Sequence, residues 1–445
     1  MNNKIWHRVQ PLLQNSVIKS VLLVGSITLL IKGIGFYKET QIAANYGLSM
    51  VLDTFFIAYL IPGFIQNVFL ESFKSVFIPN YIAELKSGND MAAFQGLGFV
   101  TTGLIALFFA IIAILITDIY LQVFFSGKEL QYYELVKDQF YIVLPCIFLW
   151  GFSSLLSGLL NVNEEFRHSS IESIFIPATI ILSIFFFKEE LGNMLLAIGS
   201  LIGSILSFIY LLYICWQKGI LKLSRPDFRN ANAVLMFKQV PAKIASSIFA
   251  GLHNVVDQFF AVQLAIGSIA ALNYALKIPA FAISIIVVAM NNVLLPHFSK
   301  LVLSNTDLAY KQLYKLIKIV FIGSAIVAVV GILTSDFFIS LFFERNEFTK
   351  EDTKLVANLQ KIILIYIPFK ISGMLLVNFL TSINKNNYMA IVSFISIVLN
   401  ILLNFILVDS YGIFGIVLAT TIVVIIRNLI LFRFTMIQKN KFYLN

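Results

Sequence analysis

Apolar residues run along this chain in long blocks, separated by short polar segments. The blocks lack the alternation of a half-buried strand and the one-sided stripe of a surface helix. They are apolar on every face. Each is about 20 residues long, enough for a helix to cross roughly 30 Å of hydrocarbon. The pattern predicts twelve spans, over about 17–36, 51–79, 94–117, 139–160, 170–187, 192–216, 238–264, 269–297, 314–338, 358–383, 388–408 and 412–434. A backbone in lipid must satisfy its own N–H and C=O groups, which restricts the spans to helices here. The expected fold is therefore an all-α integral membrane protein.

Composition agrees. Of 445 residues, 59% are hydrophobic and 12% charged, where a soluble domain is nearer half apolar and a quarter charged. The sequence predicts no long soluble domain. The first 16 residues are polar and no small-residue cleavage site follows the first apolar run, so no cleavable signal is expected. Cys146 and Cys215 both lie in apolar segments and make neither a disulfide framework nor a metal site. The formal net charge of +9 is explained by basic cytoplasmic loops, with no nucleic-acid partner.

With the N-terminus inside, one side of the membrane holds eighteen basic residues: Lys4, Arg8, Lys19, Lys86, Arg167, Lys218, Lys222, Arg225, Arg229, Lys238, Lys300, Lys311, Lys315, Lys318, Lys385, Arg433, Lys439 and Lys441. The other side holds six: Lys128, Lys137, Lys188, Arg345, Lys350 and Lys354. This bias puts both termini in the cytoplasm.

The chain also repeats itself. Pro62 and Pro79 are 17 apart in span 2, as are Pro279 and Pro296 in span 8. Pro145 precedes Asn161 by 16 residues, and Pro368 precedes Asn384 by 16. The offsets between halves, 217 and 223, agree with one another. Two six-helix bundles of the same orientation follow, around a central cavity, and parallel repeats of this kind mark transporters. The expected organisation is a cytoplasmic segment 1–16, an N-terminal lobe 17–220, a basic cytoplasmic linker 221–237, a C-terminal lobe 238–436 and a cytoplasmic tail 437–445. The N-terminal segment, with Lys4, Trp6 and Arg8, reads either as an amphipathic anchor or as a plain tail.

Charges inside the spans are costly, about 2.5–3.5 kcal/mol each at the bilayer centre, and mark cavities or pathways. They occur at Lys32, Lys38, Glu39, Asp53, Glu71, Lys74, Lys243, Asp257, Lys277, Lys370 and Arg427. Lys38 and Glu39 fit a solvated pair at a helix end as well as a cavity pair. Glu71 and Lys74, at i and i+3, pair on one face and read equally as structural or functional. Lys370 and Arg427 read better as residues snorkelling to an interface. Lys32 and Lys277 sit in apolar helices with no acid at i±3 or i±4. They are ready ligands for an anionic group such as a phosphate. A second constellation joins Asp257 to Asn400 and Asn404, which share a helix face, and to Thr420 and Thr421. One carboxylate with amide and hydroxyl oxygens suits Na⁺ or a proton, and interhelical hydrogen-bond glue is the competing reading. There is no GxxxxGK[ST] loop, HExxH or GxSxG, and His7, His168, His253 and His297 are scattered. The chain reads as a non-enzyme without a resident cofactor, driven by a gradient.

The stretch KGIGFYKETQIAANYGLSMVLDTFFIAYLIPGFIQNVFLESFKSVFIPNYIAEL over 32–85 resembles the MurJ/MviN family of lipid-linked peptidoglycan precursor flippases, in the multidrug/oligosaccharidyl-lipid/polysaccharide exporter superfamily. Lys32, Gly35, Phe36, Lys38, Glu39, Gly47, Asp53, Phe56, Pro62, Glu71 and Pro79 match its pattern. ALNYALKIP (271–279), LFFERNEFT (341–349) and GIFGIVLATT near the end look like the family too. Arginines of the family appear here as Lys32, Lys38 and Lys277, and its paired Arg after the I-P as Gln66 and Asn67. Family members usually carry two further C-terminal helices, where twelve spans are read here.

The resemblance implies a flippase of the bacterial cytoplasmic membrane. It would move a polyprenyl-diphosphate-linked saccharide by alternating access, either lipid II or a capsule, exopolysaccharide or O-antigen unit. It implies headgroup and diphosphate binding by Lys32, Lys38, Glu39, Asp53 and Lys277, with Gln66, Asn67, Glu71 and Lys74 as further cavity residues. It implies a cation at Asp257, Asn400, Asn404 and Thr420, hence Na⁺ or H⁺ coupling. Membrane lipids and other envelope-polysaccharide synthesis proteins are the partners it leaves room for. The alternatives are a cation-coupled multidrug or small-solute antiporter of the same superfamily, whose cavity should favour acids over bases, and a non-transporting scaffold. The charge bias predicts that a reporter fluorescent only in the cytoplasm will light up when fused to the C-terminus; a dark fusion with a bright periplasmic counterpart would reverse the orientation.

Overall fold

The computed structural model describes residues 16–87, 90–124 and 127–444. Its long helices are α1 (Ser16–Tyr46), α2 (Met50–Ser87), α3 (Met91–Phe124), α4 (Leu130–Val162), α5 (Phe166–Phe186), α6 (Lys188–Gln217), α7 (Ala231–Val262), α8 (Ser268–Ser304), α9 (Thr306–Phe343), α10 (Lys350–Ser382), α11 (Asn386–Tyr411) and α12 (Ile413–Leu444). No strand occurs among the described residues. Nine helices, α2–α6 and α9–α12, are long and apolar enough to cross a membrane among the described residues. The other three expected spans fall on α1, α7 and α8; α8 carries a shorter apolar stretch, Ser268–Ser284. In α7 the apolar run is interrupted by Lys238, Lys243, His253 and Asp257. The expected segment 1–16 lies, Ser16 apart, outside the described residues.

Many helices outrun their apolar blocks. α9 has 38 residues, about 57 Å at 1.5 Å per residue, nearly twice the hydrocarbon thickness. The polar ends continue the helix because capping chemistry is placed beyond the block. Asn305 accepts from the Leu308 N–H at the start of α9 at 2.9 Å. Thr349 and Asp352 form a reciprocal capping box on α10. That box starts α10 at Lys350, eight residues before the apolar block at 358.

The chain folds as two units. One takes the residues up to Ile42, Ile57–Gln122 and Lys128–Ser247; the other takes Ala43–Phe56 and the chain from Ile248 onward. α1, α2 and α7 are therefore each divided between them.

In the first unit, Phe73, Phe77 and Tyr81 of α2 form a buried aromatic ladder with Phe94 of α3, closed by Leu155, Leu159, Ala233 and Met236. α6 packs on both α4 and α5. The basic segment before α7 is tied down. Gln95, buried, donates to the Tyr81 hydroxyl and the Ile220 carbonyl and accepts from the Lys222 N–H. Gly96 lies so close beneath the Ser224 carbonyl that a Cβ there would collide with it. The wholly buried Glu84 accepts from the side-chain amides of Asn230 and Asn232 at 2.7 and 2.6 Å, and Asn230 in turn caps α7. Together with the bonds of Asn80 to Gln239 and Ser72 to Ser247, these fix the first half of α7 to this unit.

In the second unit α10 is the central helix, against α8, α9 and α12. The pairings of the first unit recur: α12 packs on α10 and α11 as α6 packs on α4 and α5. That recurrence is the structural form of the internal repeat. The loop after α9 closes back on the α1–α2 corner. Gly47 has φ +51° with the Glu347 carbonyl against its α-carbon, a place with no room for a side chain. At the same corner Asp53, 2% exposed, accepts from the backbone N–H groups of Gly267 and Ala270 at 2.6 and 2.8 Å. Its negative charge thus sits at the positive N-terminal end of α8. Two charge-assisted bonds in a buried place set the expected cost of Asp53→Ala at about 3 kcal/mol. Thermal unfolding of the purified chain in detergent should show it as a clear fall in midpoint; an unchanged midpoint would remove Asp53 from the structural frame.

Candidate functional site

Each unit carries a polar cavity, and each is built by an irregularity or an i, i+4 pair in its helices. In α2, Pro62 lacks an N–H and its ring crowds the preceding turn. The helix widens just beyond into a π turn over Gln66–Leu70. Gln66, Asn67, Glu71 and Lys74, all expected from sequence to line a cavity, do so together. The cavity is about 260 Å³ and is completed by Tyr59, Gly63, Trp150, Ser154, Ser157, Glu172 and Ile176. Glu71 accepts from the Ser154 hydroxyl at 2.7 Å, the Lys74 ammonium at 3.1 Å and the Gln66 amide at 3.4 Å. Asn67 donates to the Gly63 carbonyl one turn back. Trp150 donates to Ser204 and is thereby held edge-on to the cavity. With two carboxylates and one ammonium, the cavity carries an excess of negative charge. Glu172 was not singled out from the sequence; its signal was an acid inside the apolar fifth span.

In the second unit, Asp257 meets Asn400, Asn404 and Thr420 as expected. Thr420 donates to Asp257 Oδ2 at 2.8 Å, and the amides of Asn400 and Asn404 reach Oδ1 at 3.4 Å each. Asn400 also reaches Thr420 at 3.3 Å. Both asparagines are fully buried. Their carbonyl oxygens, Asn400 Oδ1 and Asn404 Oδ1, have no hydrogen-bond partner, although buried polar oxygens ordinarily find one. A carboxylate, a hydroxyl and two unsatisfied amide oxygens form a hard, all-oxygen donor set suited to Na⁺. No cluster of three or more His, Cys, Asp or Glu side chains exists among the described residues. Thr421, beside Thr420 in sequence, points elsewhere and donates to the Ile362 carbonyl of α10.

The residues expected at the headgroup are distributed. Lys38 and Glu39 pair with each other at 2.7 Å and are 19% and 12% exposed, so the pair is largely enclosed rather than solvated. Lys32 is half-buried on α1. Lys277, in the second unit, lies 5.8 Å over the Phe56 ring, a cation–π contact. Asp53 requires a correction. It was expected to bind headgroup or partner a lysine, but both carboxylate oxygens serve the N-terminus of α8.

Lys370 and Arg427 require another. They do not snorkel but line internal cavities. One, of about 430 Å³, is bounded by His253, Asn254, Asp257, Tyr366, Lys370, Thr420 and Arg427 among others. A second, of about 450 Å³, is bounded by Phe369, Lys370, Gly373, Met374, Asn378, Arg427 and Asn428 among others. His253, Asn254 and Tyr366 gave no sequence signal, since one aromatic, one amide or one histidine in a span is ordinary core.

The family model described as lipid II flippase MurJ matches residues 42–444. Among similar proteins, a probable lipid II flippase MurJ of Buchnera aphidicola subsp. Schizaphis graminum is 28% identical over 379 residues, covering 82% of this chain and 72% of that one. A probable lipid II flippase MurJ of Vibrio cholerae serotype O1 is 25% identical over 444 residues, covering 94% and 82%. Among solved structures, lipid II flippase MurJ in an inward closed conformation superposes with a TM-score of 0.80 at 25% identity, over 93% of this chain and 87% of that chain. An inward-facing multidrug resistance transporter of the MATE family, in the MOP superfamily, superposes at 0.78 with 13% identity over 94% and 97%, a likeness of fold alone. A multi-pass helical chain with two repeated bundles, polar intramembrane cavities and a family match over nearly its full length belongs to the lipid II flippase MurJ family.

Proposed function

We propose that this chain translocates lipid II, or a closely related polyprenyl-diphosphate-linked saccharide, from the cytoplasmic to the outer leaflet of the bacterial cytoplasmic membrane. The observation that carries this reading is the family match over residues 42–444, joined to the 0.80 superposition on a lipid II flippase. The physical problem is the headgroup. A diphosphate and its sugars cannot enter hydrocarbon without losing hydration worth many kcal/mol. A protein that offers cations inside the membrane lowers that barrier while the apolar tail stays in lipid. Lys32, Lys38 and Lys277 are the cations assigned to this task. Each binds phosphate oxygens as a point charge, without the two-pronged geometry of arginine. Glu39, paired with Lys38 at 2.7 Å, is the internal counter-ion that substrate displaces. Asp53 keeps α8 in place for Lys277 and does not touch substrate.

Asp257, Asn400, Asn404 and Thr420 are assigned to a coupling ion, Na⁺ or H⁺. Bound there, the ion would neutralise a carboxylate otherwise served only by long amide contacts. Both termini are assigned to the cytoplasm on the charge bias.

Lys277→Ala in proteoliposomes carrying fluorescent lipid II should lower flipping at least tenfold while leaving a folded, monodisperse protein; full flipping by that variant would end the assignment of Lys277. Asp257→Asn should make flipping insensitive to replacing Na⁺ by choline and to an imposed pH gradient. If the wild type shows neither dependence, the cluster is interhelical glue and the energy comes from the substrate gradient alone.

A further inference from the structure

We infer that Lys370 and Arg427 form an oxyanion-binding subsite inside the second unit, on the same cavity as the Asp257 cluster. The two side chains border both cavities described above, so one pair of cations faces two adjoining spaces. Neither makes an ion pair among the described residues. Lys370 Nζ lies 5.5 Å over the Tyr366 ring, and Arg427 Nη2 donates to the Ser393 hydroxyl at 3.3 Å. Arg427 Nε is buried with no partner at all. A guanidinium leaves such a donor unused only at a cost comparable to a lost hydrogen bond.

Depth excludes the bland explanation. Arg427 lies midway along the span Ile413–Asn440 and Lys370 twelve residues before the end of Lys350–Ser382. Either helix end is about 18 Å or more away at 1.5 Å per residue, beyond the reach of a side chain. The cations therefore have to be served from within.

Charge counting points to what serves them. Asp257 is the one carboxylate bordering either cavity, and its oxygens already accept from Thr420, Asn400 and Asn404. With His253 neutral, two cations stand against one anion. A cation or proton at Asp257 would raise the excess further. A forked guanidinium beside an ammonium is the donor set for phosphate or carboxylate oxygens, and Asn254 and His253 on the same wall can add to it. The ligand class is an oxyanion. Its source is either the diphosphate-bearing headgroup, which rests on the flippase reading, or a free anion such as phosphate.

The test is equilibrium binding of labelled inorganic pyrophosphate to the purified full chain in lipid nanodiscs. The background variant is Lys38→Met with Lys277→Met, which removes cations of the proposed headgroup site. Pyrophosphate should still bind that variant, and adding Lys370→Met and Arg427→Gln should weaken the remaining binding at least tenfold. No binding to the background variant, or binding indifferent to the added changes, overturns the inference. A second measurement leaves the cations intact. Met374→Cys places a thiol on the cavity wall, and pyrophosphate should slow its maleimide labelling at least fivefold; an unchanged rate also overturns the subsite. Displacement of bound pyrophosphate by polyprenyl diphosphate in the nanodisc assigns the site to the lipid substrate, whereas displacement by phosphate only assigns it to a free anion. Because these readouts are of binding, failure of lipid II flipping would leave them standing, and their failure would leave flipping standing.

Discussion

Within hydrocarbon an unpaired polar group costs several kcal/mol, because no water is present to satisfy it. Nearly every polar residue placed inside this chain answers to that constraint in one of two ways. Some are spent on the fold. Glu84 holds the start of α7 through two asparagine amides, and Asp53 holds the start of α8 through two backbone N–H groups. Others are left partly satisfied and border a cavity, as are Asn400, Asn404 and Arg427. The second kind are where a ligand has something to add, and they separate function from scaffolding more sharply than polarity does.

The two cavities differ in sign. That of the first unit carries Glu71 and Glu172 against Lys74, and that of the second carries Lys370 and Arg427 against Asp257. A family that moves an anionic headgroup needs cations in the membrane, but it also needs to let the headgroup go. Cations held against internal carboxylates, as Lys38 is against Glu39, bind by exchange of partners. Such exchange keeps the net affinity modest while avoiding a bare charge in the empty state.

Much of this was legible in the sequence, and for a physical reason. Hydropathy over twenty residues is an average, robust to single substitutions, so the spans stand out and the proline spacings betray the repeat. The Asp257 cluster was legible because Asn400 and Asn404 share a face and carboxylates in spans are rare. Where reading failed, the missing information was a distant partner. The N–H groups that occupy Asp53 lie more than two hundred residues away, so a buried cap looks the same as a cavity acid. Lys370 and Arg427 were misread because a span's charge says nothing about whether lipid or a cavity lies beside it. Thr420 and Thr421 are neighbours in sequence, yet one helix step of about 100° sends the first to Asp257 and the second to a carbonyl of α10.

The π turn in α2 gives equal spacing an unequal outcome. Pro62 and Pro79 are as far apart in the chain as Pro279 and Pro296 of α8, which is helical without such a turn. A π turn spends an extra residue without completing extra rotation, so beyond Leu70 the later part of α2 lags its counterpart in angular phase by about one residue, or ~100°. Aligned positions in the two halves therefore stop facing corresponding directions at that point. Duplication supplied the same string of residues twice, and a single widened turn made two different surfaces of it.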